Sequence, residues 1–371
     1  MKRILTAVLG LSILVFAACA SKKPAEIKSD DKPVLTVVTS YYVSADGNDK
    51  NDGISEETPF KTLDKALEMA SKSVVKKITV IGTLRGNAST EHLEPAIPRN
   101  IDKQTENDSI GTAQFHGDYK DQNPFEILIT GKTGANGRER AVLTSAARPA
   151  LAVLCSVIRL ENIEVSGCKD GTVIVAYGDL TLGKGARITG NSSRVGSGVY
   201  VHRGTFIMCD DAQVTNNEGV DNVGIYLENG SVGVLLNNAI VADNKAKNNG
   251  GGIALSGSTL ILKDNAIVTS NSAGNAGGGI ITYTDKENGF FSQIIISDNA
   301  RVEKNSAKTG GGILLQDKLI LQDTARITEN TASSEGGGVY GATDNVSVVK
   351  GGNVILSNNS APNVPDINFS F

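Results

Sequence analysis

The sequence has no tryptophan, few aromatic residues and little cysteine, and these shortages exclude several classes of protein. Aromatic residues make up 5% of the 371 residues, and there are four cysteines. Cys19 lies at the end of an N-terminal apolar run, while Cys155, Cys168 and Cys209 are too few for a disulfide framework and are expected to be buried thiols. The formal charge is −4, without the basic runs that phosphate binding requires. Neither a nucleic-acid partner nor a cofactor is therefore expected.

The first residues form a targeting segment rather than part of a fold. Two basic residues precede an apolar run, residues 4–18, which suits a signal-peptide core and is short for a spanning helix. The run ends in the letters FAAC, which resemble the lipobox of bacterial lipoproteins. That resemblance implies a lipid anchor on Cys19, and Ala20 resembles an outer-membrane sorting signal. An ordinary secretory signal is the alternative.

Two marks recur through the rest of the chain. The first is an asparagine three residues after a Val or Ile, with spacings of 26, 27, 27, 34, 25 and 28 residues. The second is a glycine-rich marker followed by Val or Ile, and the long step in both series indicates an insertion at residues 282–293. The asparagines are Asn191, Asn217, Asn244, Asn271, Asn305, Asn330 and Asn358. The last glycines of the second mark are Gly198, Gly224, Gly252, Gly279, Gly312 and Gly338.

The repeat predicts a solenoid of stacked β coils. Each unit of about 25–28 residues contains three short apolar segments without a helical period, which indicates strands. One coil cannot bury its apolar side chains, but coils stacked at ~4.8 Å form a continuous core. The asparagines are then expected to form a ladder of inward amides, with Cys168 in the slot above the first. Leucine-rich repeats share the period, but GGG stands where they need a helix.

Two stretches resemble known families. The pairing of GGGI or GGGV with V/I-x-x-N over residues 165–360 resembles the repeats of polymorphic outer-membrane proteins, which are bacterial surface proteins implicated in adhesion. Residues 41–70 resemble the opening of secreted β-helix proteins of the pectate-lyase-like superfamily. Both resemblances imply an all-β fold, a right-handed single-stranded parallel β-helix. Near Thr58 and Pro59 the pattern predicts the start of a helix that caps the solenoid. The apolar face of this helix would contain Phe60, Leu63, Ala66, Leu67 and Ala70.

These observations predict five segments. Residues 1–18 are expected to be the lipoprotein signal peptide, and residues 19–34 a flexible tether rich in charge. Residues 35–84 would hold an N-terminal strand, a turn and the capping helix, and residues 85–124 a long loop insertion. Residues 125–371 would form the β-helix repeats with a C-terminal cap.

The candidates for catalysis have structural explanations. Asp210 and Asp211 are the best carboxylate pair for a β-helix glycosidase. However, the same slot holds Asp264 and Asp298 in other coils, which indicates a turn. A further set, His92, His116 and His202, is scattered, and His202 is interpreted as a lone surface imidazole. The sequence therefore predicts no catalytic residue.

A calcium site near the N-terminus is the one metal site worth weighing. Asp46, Asp49 and Asp52 could supply hard oxygen ligands, but Asx-rich turns are common without metal, so no metal site is predicted.

Near-identical coils without an odd acidic cluster favour a non-catalytic protein. The lipobox resemblance implies a lipid anchor in the bacterial outer membrane, with the cell surface expected and the periplasmic face as the alternative. Its partners would be the membrane, through the lipid, and a host or cell-surface protein or glycan. The alternative is a lyase or hydrolase acting on an acidic polysaccharide, with loops 85–124 and 282–293 as groove walls. Fold analogy cannot choose between them, because one scaffold hosts both functions.

Overall fold

The computed structural model describes residues 38–86, 88–90, 126–134, 140–146, 149–193, 198–284, 289, 291–344, 346–364 and 366. The predicted signal peptide and tether, with Cys19, lie outside these residues. So do residues 91–124 of the predicted loop insertion, together with His92 and His116. Within the described part of the chain, no helix is long and apolar enough to cross a membrane.

The described chain is an all-β, right-handed parallel β-helix, which confirms the predicted fold class. Each strand pairs in parallel with its equivalent in the next coil; for example, Val214 pairs with Val241, and Val241 with Val268. Successive residues of a strand point to opposite faces, so one residue in two enters the core. Inward Val, Ile, Leu and Ala residues from all coils join one continuous core with almost no exposure.

The described strands form three sheets. The largest has 18 strands in two side-by-side rows, here called ladder A and ladder B, and the others have ten and five strands. Ladder A contains Ala88–Ser89, Val199–His202, Ile225–Glu228, Ile253–Ser256, Ile280–Tyr283, Ile313–Leu315 and Val339–Gly341. Ladder B contains Tyr41–Ser44, Lys77–Ile81, Ile127–Gly131, Thr205–Met208, Val232–Leu235, Thr259–Leu262, Gln293–Ile296, Lys318–Leu321 and Ser347–Lys350. Two long strands, Leu151–Glu161 and Ile174–Leu182, run through both ladders.

The two smaller sheets complete each coil. The ten-stranded sheet contains Thr83–Arg85, Ala141–Thr144, Ile163–Ser166, Arg187–Thr189, Gln213–Thr215, Ile240–Ala242, Ile267–Thr269, Arg301–Glu303, Arg326–Thr328 and Ile355–Ser357. The five-stranded sheet contains Glu218–Gly219, Lys245–Ala246, Ser272–Ala273, Ser306–Thr309 and Thr331–Glu335.

The single helix of the described residues spans Leu63–Ser71 and begins later than the sequence predicts. Thr62 is its N-cap and accepts a hydrogen bond from the backbone N–H of Lys65. Phe60, expected on the helix face, instead forms a parallel bridge with Val43 and is buried. That bridge keeps the residues after Pro59 extended, so the predicted start near Thr58 is wrong. The apolar face of the helix packs into the core beside the first strands.

A file of buried asparagines runs beside the core. In its middle, Nδ2 of Asn244 donates to Oδ1 of Asn271 at 3.0 Å and to the carbonyl oxygen of Val214 at 2.9 Å. The backbone N–H of Asn244 also donates to that Oδ1, at 3.0 Å. Because every buried amide atom is satisfied in this way, the column tolerates complete burial. The same pattern links Asn191, Asn217, Asn244, Asn271, Asn305, Asn330 and Asn359.

The last member of this file differs from the prediction. Asn358 is exposed and takes φ +59, whereas Asn359 is buried and accepts from Asn330. The sequence series aligned Ile355 with inward residues of other coils, but Leu356 pairs with the inward Ile327. Ile355 and Leu356 are both apolar, so the alternation of this strand is ambiguous and the series was displaced by one residue. At the other end, the backbone N–H of Cys168 donates to Asn191.

The glycine marker serves two purposes in the coils where it reads GGG. Its first glycine adopts the left-handed region, as Gly277 does with φ +65. Its last glycine leaves room for the neighbouring backbone: a Cβ on Gly279 would lie 2.6 Å from the carbonyl oxygen of Gly312 and 2.8 Å from Nδ2 of Asn305. The glycine and asparagine marks are therefore packed against each other, which explains why they recur together.

Candidate functional site

Three tyrosines, a histidine and a glutamate gather on the outer face of ladder A. This tyrosine cluster consists of Tyr177, Tyr200, His202, Tyr226 and Glu228. The neighbours of Tyr200 in its strand, Val199 and Val201, point into the core, so Tyr200 and His202 point outward. In the next coil Tyr226 pairs with Tyr200, and Glu228 with His202. The parallel register thus brings together side chains from three coils.

Hydrogen bonds join the members of this cluster through one carboxylate. The hydroxyl of Tyr200 donates to Oε2 of Glu228, and that of Tyr226 donates to Oε1 at 3.0 Å. Nδ1 of His202 lies 3.2 Å from Oε2 of Glu228. The ring centroids of Tyr200 and Tyr226 are 5.5 Å apart, and those of Tyr177 and His202 are 5.2 Å apart. These contacts restrain the rings of Tyr177, Tyr200, His202 and Tyr226 relative to one another.

Burial and hydrogen bonds determine the protonation states of Glu228, Tyr200 and Tyr226 in the cluster. Burial alone would raise the pKa of Glu228, but hydrogen bonds from Tyr200, His202 and Tyr226 hold this pKa below its usual range. Burial and the Glu228 carboxylate raise the pKa of Tyr200 and of Tyr226. Near neutral pH the cluster therefore contains a carboxylate and protonated phenols. It offers hydrogen-bond donors and acceptors, but neither a protonated carboxyl as general acid nor a phenolate as base.

The lowered pKa of Glu228 predicts a loss of stability in acid. Its contribution is fully present above the ordinary glutamate pKa of about 4.3 and disappears as the pH falls through the lower folded value. We expect the thermal midpoint of the wild type to fall further between about pH 6 and about pH 3 than that of Glu228→Gln. Differential scanning calorimetry measures both. Parallel pH profiles for the two proteins would contradict the assignment.

A second, charged cluster lies on the outer face of ladder B. It consists of Glu126, Arg159, Glu161, Cys209 and Asp210 and is called the arginine cluster. Nε of Arg159 donates to Oε1 of Glu161 at 2.6 Å, and its Nη2 lies 3.7 Å from Oδ2 of Asp210. Burial raises the pKa of Glu126, against the attraction of Arg159. Burial also raises the pKa of Cys209 to about 11, so this cysteine is a thiol.

One glycine makes room for the arginine cluster. A Cβ on Gly183 would lie 2.6 Å from Nη2 of Arg159, so a larger residue would displace the guanidinium. In later coils the position of Arg159 is taken by apolar residues such as Ile207 and Val234. From Ile207 onward this row is therefore apolar, and the arginine cluster lies before its apolar part.

The predicted carboxylate candidates lie in turns. Asp210 has φ +57, and its backbone N–H donates to Asn237, while Asp211 accepts from the backbone N–H of Gly185 at 2.7 Å. Asp298 occupies the equivalent position in another coil, where its carboxylate accepts the backbone N–H of Asp264. These bonds match the predicted turn position, although Asp210 also faces Arg159.

The N-terminal aspartates bind the backbone around the helix start. Asp49 accepts hydrogen bonds from the backbone N–H groups of Lys61 and Thr62, each at 2.9 Å. Asp52 accepts from the hydroxyl of Thr58. Among the described residues, no group of three His, Cys, Asp or Glu side chains is suited to hold a metal ion.

The remaining sequence candidates have clear positions. Cys168 and Cys209 are buried free thiols, as predicted. The interpretation of His202 as a lone imidazole is wrong, because it contacts Tyr177, Tyr200 and Glu228. The sequence pattern did not reveal this group, because Tyr177 and Glu228 lie in the coils before and after that of His202.

Comparisons with known proteins concern mainly the fold. A family model described as "Right handed beta helix region" matches residues 128–267. No curated protein matches the chain. A rhamnogalacturonan lyase structure is 12% identical, with 90% of this chain and 87% of that chain covered and a TM-score of 0.24. A lacto-N-biosidase structure from Eubacterium ramulus is 10% identical, with 88% of this chain and 68% of that chain covered and a TM-score of 0.24. The family model supports a right-handed β-helix, and these TM-scores are too low to transfer an activity.

Proposed function

We propose that this protein is a non-catalytic, lipid-anchored surface protein that binds a glycan through the tyrosine cluster. The observation that carries the proposal is the set of half-exposed tyrosine rings fixed around one ionised glutamate on a flat outer face. Tyrosine rings offer a large apolar face and a polar edge, which suits the alternating C–H and hydroxyl surfaces of a sugar. The lipid on Cys19 would hold this face at the cell surface.

The state of Glu228 supports binding rather than hydrolysis at this cluster. Glycoside hydrolysis uses one carboxyl as an acid and a second as a base or nucleophile. Glu228 is held as a carboxylate, and both of its oxygens already accept hydrogen bonds from Tyr200, Tyr226 or His202. Its role in the proposal is to orient the donors, while the exposed ring faces and the remaining imidazole edge contact the ligand.

Loss of one ring should weaken glycan binding without unfolding the protein. We expect Tyr200→Ala and Tyr226→Ala to lower the affinity for a bound glycan about fivefold, since an aromatic contact is worth about 1 kcal/mol beyond burial. Tyr42→Ala, which removes a half-buried outward tyrosine of ladder B, should leave the affinity unchanged. A glycan array identifies the ligand, and titration calorimetry measures the affinities.

The proposal fails if the tagless protein binds no glycan, even where it binds a matrix protein or a host cell by other means. It also fails if Tyr42→Ala weakens binding as much as Tyr200→Ala does.

The arginine cluster favours a second candidate function, a lyase or hydrolase for an acidic polysaccharide. Three carboxyl groups surround one guanidinium there, and the raised pKa of Glu126 is what a general acid requires. Release of unsaturated or reducing ends from a uronate panel, abolished by Glu126→Gln, would favour this function. If no uronate polysaccharide in the panel releases such ends, with or without calcium, the lyase or hydrolase function is excluded.

A further inference from the structure

We infer that the ligand of the tyrosine cluster is a linear, neutral polysaccharide lying along the solenoid axis; this inference rests on the proposed function. Five of the eight tyrosines in the chain lie on ladder A or on the long strand Ile174–Leu182, which runs through ladder A. All five are at least partly exposed and alternate with inward core residues. This tyrosine track comprises Tyr177, Tyr200, Tyr226, Tyr283 and Tyr340.

The parallel register places these five rings in two adjacent columns that run along the solenoid axis. Tyr200, Tyr226 and Tyr340 occupy one outward column, in which the intervening coils contribute Ala254, Ile281 and Leu314. Tyr177 and Tyr283 lie in the adjacent column, two residues further along their strands. From Tyr177 to Tyr340 there are six coil steps, which at ~4.8 Å each give a track of about 29 Å.

Contacts join the first three rings of the track, and the fourth ring leans back toward them. The ring centroids of Tyr177 and Tyr200 are 6.2 Å apart, next to the close pair of Tyr200 and Tyr226. The hydroxyl of Tyr283 reaches Oδ1 of Asn222 at 3.1 Å, two coils back. The intervening coil has only Ala254 in the outward column, which leaves space for the leaning ring.

Buried apolar side chains lie beneath the last three tyrosines of the track. Tyr226, Tyr283 and Tyr340 pack against one cluster that contains Ala254, Ile281 and Leu314. An extended ligand with a repeating apolar face matches this track better than a compact one, because successive units meet aromatic or apolar side chains along its length.

Carboxylates border the track and select against acidic ligands. Glu228 lies among the first rings, and Glu335 bonds to Tyr340. Asp221 lies beside Tyr283, where its charge and the burial of the phenol raise the pKa of Tyr283 to about 12. A uronate chain would bring a negative charge to each of these places, whereas a neutral chain offers hydroxyl donors to them. The charge pattern therefore favours neutral sugars.

Chain length and charge provide the test. Titration calorimetry would compare neutral gluco-, xylo- and manno-oligosaccharides, from disaccharide to octasaccharide, with oligogalacturonates of the same lengths. We expect the affinity for one neutral series to rise at least tenfold with length, and oligogalacturonates to bind at least tenfold more weakly. Tyr283→Ala and Tyr340→Ala should each remove part of the length gain without changing the affinity for the disaccharide. Tyr42→Ala is the control, and thermal midpoints confirm folding.

The outcomes separate this inference from the proposed function. If binding depends on Tyr200 but the affinity does not rise with oligosaccharide length, the ligand does not extend along the tyrosine track. Binding at the tyrosine cluster alone would then still stand. Tighter binding of oligogalacturonates would overturn the selection of neutral sugars. If no carbohydrate binds at any length, the proposed function fails as well.

Discussion

Replacement of Asn271 by alanine should lower the free energy of unfolding by about 3–5 kcal/mol, more than most single changes do. The side chain accepts two hydrogen bonds from Asn244 and donates to the carbonyl oxygen of Val241 and to Asn305. Alanine leaves the backbone N–H of Asn244 and one of its two amide hydrogens without an acceptor, in a region from which water is excluded. Each unsatisfied buried group costs about 1–3 kcal/mol, so the losses accumulate at one site.

A neighbouring pair of asparagines supplies the control for this experiment. Asn358→Ala should cost only about 1 kcal/mol, because Asn358 is exposed and the strain of alanine at its left-handed φ of +59 is the main loss. Asn359→Ala should be clearly destabilising, because Asn359 accepts two hydrogen bonds from Asn330. Urea unfolding followed by circular dichroism measures all three variants. Equal stabilities of the Asn271 and Asn358 variants would contradict the hydrogen-bonded file.

Gly279→Ala should destabilise the protein by about 2–3 kcal/mol. The added methyl would lie 2.6 Å from the carbonyl oxygen of Gly312, and backbone at that distance can only move by separating two coils. Gly351→Ala is the matched control, since no heavy atom lies within 4 Å of its Cβ and its φ is not in the left-handed region. The urea midpoints of the two variants test the claim, and a Gly279 variant as stable as the control would refute it.

The periodic part of the fold is readable from sequence because each coil repeats the same physical requirement. An inward amide must meet another amide, and a close backbone approach must have glycine, so both marks recur with the coil length. The prediction fails where the requirement is ambiguous. Ile355 and Leu356 are both apolar, and only the pairing of Leu356 with Ile327 shows which one is inward. At the helix start, the bridge between Phe60 and Val43 overrides the local helical pattern.

One column of the tyrosine track could have been found from the sequence, but the arginine cluster could not. Tyr200, Tyr226 and Tyr340 each stand two residues after the last glycine of a marker, which places them in one outward column. The arginine cluster combines Arg159 with Asp210 and two glutamates from different coils, and its geometry depends on the space at Gly183. No fixed spacing signals such a group, because its members do not repeat.

A crystal structure with a bound neutral oligosaccharide tests the central claim most directly. We predict that the sugar rings lie on ladder A, against Tyr200 and Tyr226, with the chain running toward Tyr340. A ligand seated instead at Arg159 on ladder B, or away from every tyrosine of ladder A, would contradict the account.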